Sequence, residues 1–385
     1  MSIPRPLLRR SPLLPNESLP SLVARLAQLN GYEPPTLLDR YCLMGIPPAQ
    51  CRGTVDCWPP AAVFPRLAAL TTIAVAVLHR ASAHRFTPIL TLPSAADPAD
   101  PVGQDKPLPL LDGPVMLAHI RPPHAAQFCP RCLEDSVYHR LTWTPVAIAA
   151  CLEHHCLLVQ QCPNCQRPIS IAMVTVARCH ACGTDLRRAG MRDLAEAPWV
   201  VRAQEVIQAW LTLAPVPDTT GVTFPDPRAM VCYGVLDVVR RLVMRSSAAW
   251  WYRYSIPDGA TKQSMGRTLL EGTPRQIVSL YATAMQAISA WPESFYVFLR
   301  TYRLAQAEAP DPALGGEGYD DGRVLLWIMA HWIHPVYARV RDGLEHYLRT
   351  ECRLWEWGDG GRAMILQVFH ELCADALSRS AAGVS

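Results

Sequence analysis

The chain has 385 residues, half of them hydrophobic, with 36 Lys+Arg against 33 Asp+Glu and a formal net charge of +3. That length fits two or three domains, each able to bury a core. A charge so close to balance excludes a protein that coats nucleic acid by bulk charge, and the longest mostly apolar run, Leu67 to Leu78, falls short of the ~20 residues of a membrane helix.

Residues 1–125 read as a helical N-terminal domain. Ser18 is placed as an N-cap, with Pro20 tolerated in the first turn. Leu19, Leu22, Val23, Leu26 and Leu29 then recur at helical spacing until Asn30-Gly31 stops the helix. A second short helix is expected over Thr36 to Leu43, and a third over Phe64 to Arg80 with Pro65 in its first turn. Three such helices fit a helix-turn-helix and fit a plain helical bundle equally. Residues 93–114 hold six prolines and four aspartates and read as a linker.

Residues 126–195 carry four cysteine-histidine pairs in a row: Cys129-Pro-Arg-Cys132, Cys151-Leu-Glu-His154, Cys162-Pro-Asn-Cys165 and Cys179-His-Ala-Cys182. Two residues between ligands let a tight turn present both side chains to one metal. The four pairs make two tetrahedral sites, so two Zn2+ ions per chain are expected. Cys129, Cys132, Cys151 and His154 would hold the first; Cys162, Cys165, Cys179 and Cys182 would hold the second. Sites with four protein ligands fold a chain and leave no position for substrate. A disulfide framework would need an oxidising compartment, and the start of the chain, with three arginines and three prolines in twelve residues, is unlike a secretory signal. An iron–sulfur cluster suits a quartet containing histidine less well than zinc does.

The first site leaves one choice open, because His154, His155 and Cys156 are consecutive and any of them could be its fourth ligand; the repeated two-residue gap favours His154. The chain has fourteen cysteines, and those outside the pairs read as small buried hydrophobes. Tyr138 and Trp143 suit the aromatic cover that a small zinc domain needs, or a surface for stacking on a base. The β-branched stretch Ile169 to Val176 is expected to be a strand before Cys179.

Residues 196–385 return to helices. Val200–Leu213, Arg228–Met244, a helix capped by Thr273-Pro274 and running to Ala290, another after Trp291-Pro292, Arg323–Glu351 and Gly361–Leu377 are expected. Aromatic residues at helical spacing here read as core. The expected fold is therefore mainly α with small β-hairpins, in three parts: a helical N-terminal domain, a tandem zinc-ribbon module and a helical C-terminal domain.

These residues resemble a known family. The opening Glu17-Ser-Leu-Pro-Ser-Leu-Val-Ala-Arg25-Leu-Ala, closing at Asn30-Gly31, is similar to the start of TniQ/TnsD transposon target selectors. So are Phe128-Cys-Pro-x-Cys-Leu, Tyr138-x-Arg-Leu-x-Trp143, Cys151-x-x-His154 with Leu157-Leu158 behind it, Cys162-Pro-x-Cys165 and Cys179-x-x-Cys182-Gly183. At position 155 the family usually has glycine where this chain has histidine. The resemblance implies a non-catalytic adaptor linking a targeting complex to the transposon's AAA+ ATPase (TnsC-like), which recruits the transposase. In CRISPR-associated transposons the targeting complex is a guide-RNA effector; in others the family member reads target DNA itself. Expected partners are thus the ATPase, the targeting complex, target DNA and a second copy of the chain, in the bacterial cytoplasm and away from membranes. No Ser/His/Asp constellation and no phosphate-cradling glycine loop argues for an enzyme. The competing expectation is a sequence-specific DNA-binding regulator built from a helix-turn-helix and zinc ribbons.

Overall fold

The computed structural model describes residues 6–32, 58–90, 119–216, 224–245, 272–308, 328, 331–332 and 335–350. The described chain is mainly helical, with one two-stranded sheet. It divides into two compact units. The first comprises the described residues of Met1–Thr87, Pro114–Gln208 and Met265–Val278; the second those of Pro88–Gly113, Ala209–Ser264 and Ser279–Ser385. No described helix is long and apolar enough to cross a membrane.

Helix α1 (Leu19–Leu29) begins where Ser18, in extended backbone, accepts a hydrogen bond from the Ser21 amide. Its apolar stripe of Leu19, Leu22, Val23 and Leu26 is buried. Each such side chain contributes on the order of 1.5–3 kcal/mol. The stripe packs with Leu7 and with Val63, Phe64, Leu67, Leu70 and Leu78. Those partners come from α2 (Val63–Thr71) and α3 (Val75–Arg80), where the sequence predicts one helix over Phe64–Arg80. The break has a local cause. Thr71 and Thr72 are β-branched, and the Thr71 hydroxyl bonds back to the Leu67 carbonyl while accepting from the Ile73 amide. Thr72 then turns the chain in left-handed backbone, φ 62°. The expected helix over Thr36–Leu43, on which a helix-turn-helix depends, and the linker over 93–114 lie outside the described residues.

Beyond residue 119 the first unit is built of short pieces: α4 (Pro130–Asp135), the hairpin β1 (Ala150–Cys151) and β2 (Cys156–Leu157), and α5 (Ile171–Val174). The expected strand over Ile169–Val176 is this single helical turn. Ser170 caps it by accepting from the Met173 amide, and Ile171 and Val174 bury side by side one turn apart. Helix α6 (Pro198–Thr212) fastens the hairpin from behind. The buried Gln204 amide donates to the Ala147 carbonyl and accepts from the Ala149 amide.

The second unit is a helical core. It contains α7 (Ala229–Arg245), the length of α8 (Pro274–Ile288) from Ser279 onward, α9 (Glu293–Glu308) and α10 (Ala338–Thr350). Trp291 stacks on Phe295 at 4.8 Å, and Trp332 lies 5.7 Å from Phe295. Phe295 and Phe298 are core, as their helical spacing predicts; Trp332 is buried with them and Trp291 is half-buried beside them. The expected single helix over Arg323–Glu351 is interrupted, because Pro335 opens a 3-10 turn and α10 starts only at Ala338. Gly361–Leu377 lies outside the described residues.

One position in α7 has no room for a side chain. A Cβ on Gly234 would lie 2.0 Å from the Tyr337 hydroxyl oxygen, and Tyr337 is itself buried. Gly234→Ala should therefore destabilise by about 1–3 kcal/mol despite alanine's better helix propensity. Chemical denaturation of the purified variant checks this; a stabilised variant would show that Tyr337 moves freely.

Candidate functional site: two cysteine-rich clusters

The structure brings the four pairs together two by two. The ligand atoms of Cys129, Cys132, Cys151 and His154 all lie within 4.8 Å of one another, and so do those of Cys162, Cys165, Cys179 and Cys182.

In the first cluster α4 carries Cys132 one turn after Cys129, which precedes the helix in extended backbone with Pro130 at its first position. The hairpin supplies the rest: Cys151 ends β1 and His154 sits in the loop before β2. His154 Nδ1 is 3.5 Å from Cys129 Sγ, 3.3 Å from Cys132 Sγ and 3.6 Å from Cys151 Sγ. Cys132 and Cys151 sulfurs are 3.6 Å apart. A tetrahedron with metal–sulfur bonds of about 2.3 Å has edges of about 3.7 Å, so this donor set fits a zinc-sized ion. The other ring nitrogen of His154 lies 3.8 Å from the Asp135 carboxylate. A carboxylate is the usual outer partner of a metal-binding histidine, and Asp135 stands on that side, beyond hydrogen-bond distance. The crowded sulfurs share protons: hydrogen bonding with Cys129 pushes the Cys132 thiol up and pulls the Cys151 thiol down.

His155 is exposed and takes left-handed backbone, φ 45°. That conformation favours glycine, which explains why glycine suits this position. Cys156 is buried, its sulfur 3.7 Å from Cys129 Sγ.

The second cluster is made of two similar turns. Gln161 pairs with Pro168 around Cys162 and Cys165, and Arg178 pairs with Asp185 around Cys179 and Cys182. In each, the residue after the second cysteine adopts positive φ: Gln166 at 58° and Gly183 at 74°. Its amide donates to the carbonyl of the first cysteine, Cys162 in one turn and Cys179 in the other. Cys162 and Cys182 sulfurs are 3.5 Å apart, and Cys165 and Cys179 sulfurs 3.7 Å. Thr184, hydrogen-bonded to Cys182, pulls that thiol down to about 6.

The first cluster is continuous with α1 through the segment 138–143. The Ser18 amide donates to the His139 carbonyl at 2.9 Å, the His139 amide to the Ser21 hydroxyl at 3.0 Å, and the Leu141 amide to the Asn16 carbonyl at 2.7 Å. The Tyr138 hydroxyl donates to the Pro15 carbonyl. Tyr138 and Trp143 are buried, so they cover the module and do not form a stacking surface. Complete burial pushes His139 down to about 3, keeping it neutral beside the Ser18 hydroxyl. The Arg140 guanidinium lies 5.9 Å over the Tyr138 ring and 5.6 Å over the Trp143 ring, and it pairs with Glu153.

Sequence reasoning missed three carboxylates here. Asp135 stands three residues after Cys132 on α4, which puts it beside His154. Glu153 reaches both Arg140 and the Cys132 sulfur. Glu17, just before the N-cap, is fully buried and holds Arg25. A carboxylate beside a cap, one helix turn from a ligand, or next to a ligand in a hairpin loop was the available signal.

No curated protein matches the sequence. The family model described as TniQ matches residues 8–158, a span that runs from just before α1 through the first cluster to β2. Over that span the chain is similar to the TniQ family.

Proposed function

We propose that this chain is a non-catalytic adaptor of transposition target selection, joining a targeting complex to the transposon's AAA+ ATPase. The TniQ family is an adaptor family with that role, and the observation carrying the reading is the match over residues 8–158. It is supported by the structure of that span, where α1, the segment 138–143 and the first cluster form one hydrogen-bonded assembly. Both clusters hold zinc in this reading. Cys129, Cys132, Cys151 and His154 bind one ion; Cys162, Cys165, Cys179 and Cys182 bind the other. The ions fix the fold of the module and present its surfaces; they take no part in chemistry.

The second cluster offers a surface for a charged partner. Between residues 159 and 192 Asp185 is the sole acid, while Arg167, Arg178 and Arg188 are exposed. Arg187, by contrast, is tied to Asp185 at 2.7 Å. Arginine forks recognise carboxylate and phosphate alike. Reversing Arg178 and Arg188 to glutamate should weaken capture of one partner by about tenfold without changing zinc content. A pull-down with the purified ATPase and with the targeting complex is the test. The same arginines favour the second reading, direct recognition of DNA. If the protein captures neither partner, yet alone protects a specific DNA site with a steep salt dependence, the regulator reading replaces the adaptor.

A further inference from the structure

The first cluster has more donors than a tetrahedral ion can use. Cys156 pairs directly across the hairpin with Cys151, and residues opposite one another in an antiparallel ladder send their side chains to the same face. Its sulfur is 3.7 Å from Cys129 Sγ, matching the 3.6 Å between Cys132 and Cys151. Cys129, Cys151 and Cys156 are all buried at that point, while His154 reaches in from the hairpin loop and is partly exposed. Four donors, those of Cys129, Cys132, Cys151 and His154, lie within 4.8 Å of one another, and the Cys156 sulfur stands beside that group as a fifth, against Cys129.

We propose that Cys156 is an alternative fourth ligand of this site, so that the ligand set follows the softness of the metal. Zinc takes Cys129, Cys132, Cys151 and the His154 imidazole. A softer, thiophilic ion such as Cd2+ takes Cys156 in place of His154, because thiolate outcompetes imidazole for soft ions. In the exchange a metal–sulfur bond forms and a metal–nitrogen bond breaks. Cys156 releases its proton to solvent, and His154 leaves as neutral imidazole. Cys156 already stands at a tetrahedral edge from Cys129; the exchange requires its sulfur to close on the other two thiolates as the loop between the strands turns outward. This inference rests on reading the first cluster as a metal site.

The test uses the full chain loaded with 113Cd. The wild-type protein should give two cadmium resonances, both in the four-thiolate region, and Cys156→Ser should move one of them into the region of three thiolates and one nitrogen. With zinc, both His154→Ala and Cys156→Ser should retain two ions per chain, and the double variant should retain one. The proposal is overturned if wild-type 113Cd protein already shows a three-thiolate resonance, or if His154→Ala binds a single zinc. Fewer than two zinc ions in the wild type would instead refute the underlying metal-site reading. The wild-type cadmium spectrum needs no variant to fold.

Discussion

Purified without chelator, the protein should contain two zinc ions per chain, and Cys165→Ser should reduce that to one. Structural zinc of this kind contributes on the order of 10 kcal/mol to folding, comparable to the whole stability of a typical domain. Losing the second ion should therefore collapse the two turns around Cys162–Cys165 and Cys179–Cys182, since their sulfurs otherwise face one another uncompensated at 3.5 and 3.7 Å. The first ion should have the wider reach. A Cys129→Ser, Cys132→Ser double variant leaves too few ligands on α4, and α4 leads directly into the segment 138–143. That segment holds the start of α1 through the Ser18, His139 and Leu141 amides. Hydrogen exchange distinguishes the two cases. Cys165→Ser should leave the Ser18 and Leu141 amides protected, whereas the double variant should expose them. Slow exchange at Ser18 in the double variant would show that α1 holds its place without the first metal.

What was legible in the sequence follows from how local each signal is. The four pairs were readable because two residues between ligands is a property of one turn, and the structure gathers the same eight residues into two groups. Helices α6, α7 and α8 were readable to within about two residues because periodicity and proline caps are local as well. The misreadings all involve competition that composition does not display. Ile169–Val176 is rich in β-branched residues, yet the Ser170 hydroxyl reaches the Met173 amide first and closes a helical turn. The Phe64–Arg80 periodicity ran on through Thr71 and Thr72, where the Thr71 hydroxyl takes the Ile73 amide. Tyr138 was ambiguous between cover and stacking surface because its partner, Pro15, lies 123 residues away. Long-range pairing of that kind leaves no spacing to count. The tie of Arg187 to Asp185 two residues earlier is a local turn that a charge count does not reveal.

Arg25→Met should be among the most damaging single changes away from the cysteines. The Glu17 side chain is fully buried. One of its oxygens accepts from the Ser21 hydroxyl at 2.9 Å and from Arg25 Nε at 2.7 Å; the other accepts from the Leu14 amide at 3.0 Å and from Arg25 Nη2 at 2.8 Å. Arg25 also donates to the Ser11 hydroxyl and the Pro12 carbonyl, so one guanidinium gathers the chain that leads into α1. Methionine matches the apolar length of the arginine stem and keeps helix propensity, which isolates the loss of charge and forked hydrogen bonds. A buried carboxylate stripped of its counter-charge costs about 3–5 kcal/mol, which for a unit of this size lowers the melting temperature by on the order of 10 °C. Arg25→Lys should fall between, because an ammonium keeps the charge but not the two parallel bonds. Removing both charges in Glu17→Gln, Arg25→Met should recover part of the loss, since no unpaired ion is then left inside. Zinc content should stay at two per chain in all three variants, since neither side chain of the pair bonds a cluster cysteine or His154. If Arg25→Met melts within about 1 kcal/mol of wild type, or if the double variant is worse than the single one, then Glu17 is not held by Arg25 and the link between this ion pair and the seating of α1 is wrong.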